Sequence, residues 1–126
     1  MRLLLDTHIF FWIIKDDRRL SKLARNKILQ GTEIYVSSAS IWELAIKIKL
    51  KKIDADIKKL TEAIVESNFR ELPVTVQHAA ALMQLPNIHR DPFDRILIAQ
   101  AISEPLTFLT ADEELQKYSE LVEFVG

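Results

Sequence analysis

Apolar positions recur along the chain in two rhythms. Arg2–Leu5 is a short, mostly apolar run that stops at Asp6, Glu33–Ser37 (EIYVS) is rich in β-forming residues, and Leu106–Thr110 (LTFLT) closes on a threonine. Short runs of this kind, bounded by polar residues, predict strands buried in a sheet. Between them the rhythm lengthens to that of a helix. Thr7–Lys15 is apolar nearly all round, as expected of a helix covered on more than one side. Ser21–Gln30 reads as a second helix, stopped by Gly31. Ser40–Lys52 reads as a third, with Ser40 and Glu43 in the spacing of a capping box. Asp56–Ser67 puts Ile57, Leu60, Ile64 and Ala63 on one face. Phe69–Val74 predicts a short strand or an extended link, and Val76–Leu85 a helix that ends before Pro86. After the mostly polar Asn87–Arg90 loop, Asp91 caps a helix with Pro92 at its first position, running to about Ser103. Ala111–Tyr118 reads as a last helix and Leu121–Val125 as a last strand. Strands alternating with helices predict an α/β fold: a parallel sheet with helices on both faces. No linker or repeat interrupts the pattern, so residues 1–126 are read as one domain.

Composition narrows the chemistry. The chain has 126 residues, 48% of them hydrophobic and 28% charged, which suits one globular domain with a real core. Only two glycines occur, too few for a glycine-rich phosphate loop or a dinucleotide fingerprint. The absence of cysteine excludes thiol catalysis, disulfides and thiolate-bound zinc, and it fits a cytoplasmic protein. Asp6 breaks the apolar N-terminus, which is too short to span a bilayer and is followed by no small-residue cleavage site. The formal net charge of −1 gives no general attraction to nucleic acid, so any such binding rests on local patches.

Four acids, Asp6, Glu43, Asp94 and Asp112, fall at or just beyond helix starts. In a parallel α/β domain such positions can meet in the crevice at the carboxyl ends of the strands. Carboxylates brought together repel unless a cation holds them, and hard divalent ions take oxygen ligands. A site of that kind activates water for phosphodiester hydrolysis. Each acid alone has a plainer explanation. Asp6 could cap its helix, Glu43 could complete the Ser40 capping box, and Asp94 and Asp112 could face helix dipoles. Two observations favour the metal reading. Asp91 already caps the helix carrying Asp94, and Thr110 with Glu113 has capping-box spacing without Asp112. Asp6, Glu43 and Asp112 also all follow expected strands.

The segments LLLDTHIFFW (Leu3–Trp12), SASIWELAIKIKLKK (Ser38–Lys52), HRDPFDRILIAQA (His89–Ala101) and LTADEEL (Leu109–Leu115) together resemble, in content and order, the PIN-domain ribonuclease toxins of VapC type. The resemblance implies an RNA-cleaving toxin of a toxin–antitoxin pair. Asp6, Glu43, Asp94 and Asp112 match the family's acids, and Thr7 and Thr110 its neighbouring hydroxyls. It further implies Mg²⁺ or Mn²⁺ as cofactor, with Asp6, Asp94 and Asp112 as ligands and Glu43 placing a water. The implied products carry a 5′-phosphate, and the implied partners are RNA, a cognate antitoxin protein and a second copy of the chain in a homodimer. Thr7, Thr110, Lys47 and Arg95 are expected phosphate contacts, although a lysine on a helix is more often solvated and Lys47 could simply pair with Glu43 four residues before it. No role is assigned to His8, His78 or His89. Surplus apolar side chains at Phe10, Phe11, Trp12, Trp42 and Ile46 suit either a thick core or an interface. The competing reading is a PIN-like module that binds RNA or protein without cutting. A doubly wound phosphatase is disfavoured because Asp6 is followed by Thr7 and His8 rather than by a D-x-D motif.

Overall fold

The computed structural model describes residues 1–126. Five parallel strands form its sheet: β1 (Arg2–Leu5), β2 (Glu33–Ser37), β3 (Arg70–Leu72), β4 (Thr107–Thr110) and β5 (Val122–Phe124), in the order β3-β2-β1-β4-β5. Six α-helices connect them: α1 (Thr7–Lys15), α2 (Lys22–Gln30), α3 (Ser38–Lys49), α4 (Ile57–Glu66), α5 (Val76–Ala81) and α6 (Pro92–Ser103). The expected α/β class, with helices on both faces of a parallel sheet, is the observed one. No helix is long and apolar enough to cross a membrane.

The central strand shows why its sequence is a solid apolar run. Leu3 and Leu5 enter one core with Ile9, Phe10, Val36, Leu44 and Leu109. Leu4 points the other way, into a second core with Leu97, Ile98, Ala101 and Phe108. Successive strand residues face opposite sides, so a strand covered twice cannot alternate with polar residues. Phe10 and Phe11 are core residues, whereas Trp42 and Ile46 are exposed, the first at 64%.

Three element boundaries differ from the sequence expectation. Helix α3 starts at Ser38 because Ser37 caps it, accepting from the Ala39 N–H at 3.0 Å. Ser40 therefore lies inside the helix, and the Ser40–Glu43 capping box does not form. The helix expected at Val76–Leu85 stops being α-helical after Ala81 and finishes as a 3₁₀ turn, Leu82–Gln84. The last helix is also of 3₁₀ type, Glu113–Tyr118, and its cap is Asp112, which accepts from the Glu114 N–H at 3.1 Å. Thr110 and Glu113 form no box there, because the threonine is engaged elsewhere.

Candidate active site

From β1 the chain proceeds toward β2 on one side of the sheet, and β4 flanks β1 on the other. The crevice at the carboxyl ends of such diverging strands is the usual ligand position in open α/β sheets. Asp6 leaves the end of β1 there, with its backbone N–H on the Leu109 carbonyl of β4 at 3.0 Å. Thr110 ends β4 and Asp112 follows it.

Asp6 is only 3% exposed and makes no side-chain cap on α1. Its Oδ2 instead accepts from the Thr110 hydroxyl at 2.6 Å, and that hydroxyl accepts from the Asp112 N–H at 3.0 Å. One threonine thus fixes two of the acids. Asp6 Oδ1 is buried without any partner. Burial raises the Asp6 pKa; the Thr110 bond and His8 act the other way, and the Glu43 charge adds to the rise.

Glu43 is likewise buried, at 6% exposure, two turns into α3. Its Oε2 pairs with Lys47 Nζ at 3.0 Å, while Oε1 has no partner. Helices α1 and α3 are joined beneath it by the Thr7 hydroxyl, which donates to Ser40 Oγ at 2.9 Å inside the protein.

Asp94 reaches the crevice from the first turn of α6. Asp91 does the capping, accepting from the Phe93 and Asp94 N–H groups at 2.8 and 3.4 Å, so the Asp94 carboxylate is free for other work. Its pKa is pushed up to about 8, first by burial and then by the charges of Asp6, Asp91, Glu43 and Asp112. Asp94 thus feels the charge of the three other acids singled out from the sequence and, in addition, of Asp91. Asp6, Asp94 and Asp112 line a cavity of about 220 Å³ together with His8, Trp12 and Ala111. Larger cavities, about 330 Å³ between α3, α4 and β3 and about 470 Å³ between α3, α5 and α6, are apolar and hold none of these acids.

The expected phosphate contacts meet different fates. Thr7 and Thr110 are 1% and 0% exposed, so their hydroxyls position other groups rather than meet solvent or substrate. Lys47 stays beside the site, between Glu43 and His8 Nε2, the latter at 3.5 Å. Arg95 is turned toward the loop before α6, donating to the Pro86 carbonyl at 2.9 Å and to the Tyr118 hydroxyl at 3.1 Å.

His89 is the residue that sequence reasoning missed. Its Nδ1 lies 3.7 Å from Asp94 Oδ2 and its Nε2 3.6 Å from Asp112 Oδ2. The three side chains offer ligand atoms within 4.8 Å of one another. The Asp91 N–H donates to His89 Nδ1 at 3.1 Å, so a neutral imidazole carries its proton on Nε2, toward Asp112. His89 thus stands at the rim of the acids, close to Asp94 and Asp112 but hydrogen-bonded to neither. Its position depends on Tyr118, whose hydroxyl accepts from the His89 N–H at 2.8 Å across 29 residues, a contact with no local signal.

A family model described as the PIN domain matches residues 3–121. The chain belongs to the PIN-domain family. Among relatives of this PIN domain, Ribonuclease VapC22 of Mycobacterium tuberculosis is 30% identical over 118 residues, spanning 91% of this chain and 90% of that protein. Among solved structures, VapBC2 of Rickettsia felis bound to a fragment of its promoter DNA matches 100% of both chains, with a TM-score of 0.72 and 16% identity. The sarcin–ricin-loop-cleaving toxin VapC20 of M. tuberculosis matches 94% of this PIN domain and 97% of its own chain, with a TM-score of 0.65 and 13% identity. At such low identity the structural likenesses establish the fold.

Proposed function

We propose that the protein is a divalent-metal-dependent endoribonuclease acting as the toxin of a toxin–antitoxin pair. The observation that carries this reading is the pair of unpartnered, buried carboxylate oxygens, Asp6 Oδ1 and Glu43 Oε1: Asp6 lines one cavity with Asp94 and Asp112, and the charges of both Asp6 and Glu43 act on Asp94. A buried polar atom without a partner costs free energy, and a group of buried acids costs more. An oxygen-liganded divalent cation offsets both costs, so the donor set fits Mg²⁺ or Mn²⁺. The named function of VapC22 agrees with this reading.

Asp6, Asp94 and Asp112 would hold the ion, and Glu43 would orient a water from the buried side. When bound, such an ion activates water as a nucleophile and offsets charge building on the phosphate. Thr110 fixes the angle between Asp6 and Asp112, and Lys47 holds the inner carboxylate in place. Neighbours solved as toxin–antitoxin complexes support an antitoxin partner for this chain. A homodimer is supported by the apolar groove beside Trp42, where the indole meets Phe93 edge-on at 5.1 Å next to Val74 and Leu82. A cytoplasmic site of action follows from the RNA substrate.

The test is cleavage of a labelled structured RNA by the purified protein with Mg²⁺, with Mn²⁺ and with EDTA, run beside Asp6→Asn and Asp94→Asn. Metal-dependent cutting lost in both variants is the expected result. An intact protein that neither cuts nor binds metal overturns it in favour of a binding module.

A further inference from the structure

One wall of the acid cavity carries no acid. His8 and Trp12, four residues apart on α1, share a helix face, and both line the cavity with Asp6, Asp94 and Asp112. Their rings lie 5.8 Å apart at 38°. The Arg19 guanidinium sits 5.3 Å from the centre of the Trp12 indole. Asp17 holds that guanidinium through two contacts, Nε to Oδ1 at 3.1 Å and a terminal nitrogen to Oδ2 at 2.8 Å. Imidazole, indole and guanidinium are three planar groups in series, and each is fixed from behind. Trp12 packs partly against the core, Arg19 is pinned by Asp17, and His8 borders Lys47. Yet His8 is exposed, Trp12 is only half-buried and the Arg19 side chain is 65% exposed.

We infer that this wall is a stacking platform for an unpaired nucleobase next to the scissile phosphate, with Trp12 as its main surface. The inference rests on the ribonuclease reading and adds to it a base-binding subsite on α1. A phosphodiester held at the carboxylates brings its flanking nucleotides against α1. Planar aromatic and guanidinium faces bind bases by stacking, with little preference among sequences, and only bases free of a duplex present their faces. The acid side of the cavity then holds the phosphate through the metal, while the α1 side holds a base.

Trp12 and Trp42 are the two tryptophans of the chain, so Trp42→Phe leaves Trp12 as the sole indole emitter. The experiment uses the Trp42→Phe/Asp94→Asn protein with Mg²⁺, the second change serving to slow cleavage. It is titrated with a labelled random-sequence 12-nucleotide RNA and, separately, with a blunt RNA duplex. Indole emission and label anisotropy are read together. The expected result is saturable quenching by the single strand and none by the duplex. In the Asp94→Asn background, Trp12→Phe should keep single-strand affinity within about threefold, and Trp12→Ala should lose roughly tenfold. Anisotropy showing single-strand binding without any change in Trp12 emission overturns the platform and leaves the ribonuclease reading standing. No binding of either RNA also overturns the platform, and the cleavage assay on the parent protein then decides the ribonuclease reading separately. The emission arm keeps the native Trp12, so it decides the matter even if Trp12→Ala fails to fold.

Discussion

The two halves of the acid site are built differently. On the β1–α3 side, Asp6 and Glu43 are buried, and each has one oxygen held by Thr110 or Lys47 and one with no partner. On the α6–β4 side, Asp94 and Asp112 have side chains 15% and 39% exposed, and His89 stands beside them on a loop tied down by Tyr118. The inner half is fixed by hydrogen bonds and packing before anything binds. The outer half is the more open to solvent. A rigid inner half sets the position of charge in advance, which is what electrostatic preorganisation requires. Its cost is a native state less stable than its packing would allow.

Asp6→Asn breaks this comparison most severely. The amide keeps the shape but removes the charge, so RNA cleavage should fall by at least about a hundredfold, read as kcat. In EDTA the same variant should melt higher than the parent, because it removes a buried charge that lacks full compensation. Asp112→Asn should also cut kcat, but its half-exposed position predicts a melting temperature within about 2 °C of the parent. Equal thermal shifts in the two variants would show that the halves do not differ as argued.

Next in size is Thr110→Val, which keeps the volume and deletes one hydroxyl. Asp6 Oδ2 then loses its donor and the Asp112 N–H loses its acceptor. Leaving buried polar groups unsatisfied costs about 1–3 kcal/mol. The expected outcome is loss of stability in denaturant titration together with roughly tenfold slower cleavage, since both flanking acids drift. Thr7→Val provides the contrast. Its hydroxyl serves only Ser40, so it should cost stability of about 1 kcal/mol and leave kcat within about threefold. A kcat loss in Thr7→Val as large as in Thr110→Val would mean that the hydroxyl does meet substrate.

Much of this arrangement was legible before the structure. Buried strands announced themselves as solid apolar runs, and Asp91–Pro92 announced the start of α6, which freed Asp94 for the site. The failures have one physical cause. Ser40 and Thr110 have side chains that could bond locally, and local spacing suggested that they did. In the fold Ser40 bonds to Thr7, and Thr110, while accepting from the nearby Asp112 N–H, donates to Asp6; Thr7 and Asp6 are distant in sequence. A short hydroxyl side chain can take a nearby backbone N–H, a tertiary partner or both, and sequence shows only the first. His89 was hidden for the same reason, because a tyrosine on the last 3₁₀ turn places it. Trp12 was read as surplus apolar surface suited to a thick core or an interface, and only the cavity shows that part of it faces the acids.

The dependence on pH sharpens the comparison through stability alone. In the metal-free protein Asp94 titrates at about 8, against 3.8 for an ordinary carboxyl. Below pH 4 both native and unfolded states are protonated and the group contributes nothing to the balance. As pH rises the unfolded chain loses this proton first, the native state keeps it, and stability falls until about pH 8, where both are ionised. Asp6, whose pKa is also raised by burial, adds to the same decline. Allowing for solvent screening at a partly exposed group, Asp94 should account for on the order of 2 kcal/mol across that window. Melting curves in EDTA from pH 4.5 to 8 should therefore descend in the parent and flatten in Asp94→Asn. Saturating Mg²⁺ should lift the parent curve most at the alkaline end, because the ion must displace the Asp94 proton at lower pH. A metal-free parent whose stability rises with pH across the window would show that Asp94 is paired rather than crowded, and that the outer half needs no cation to stay charged.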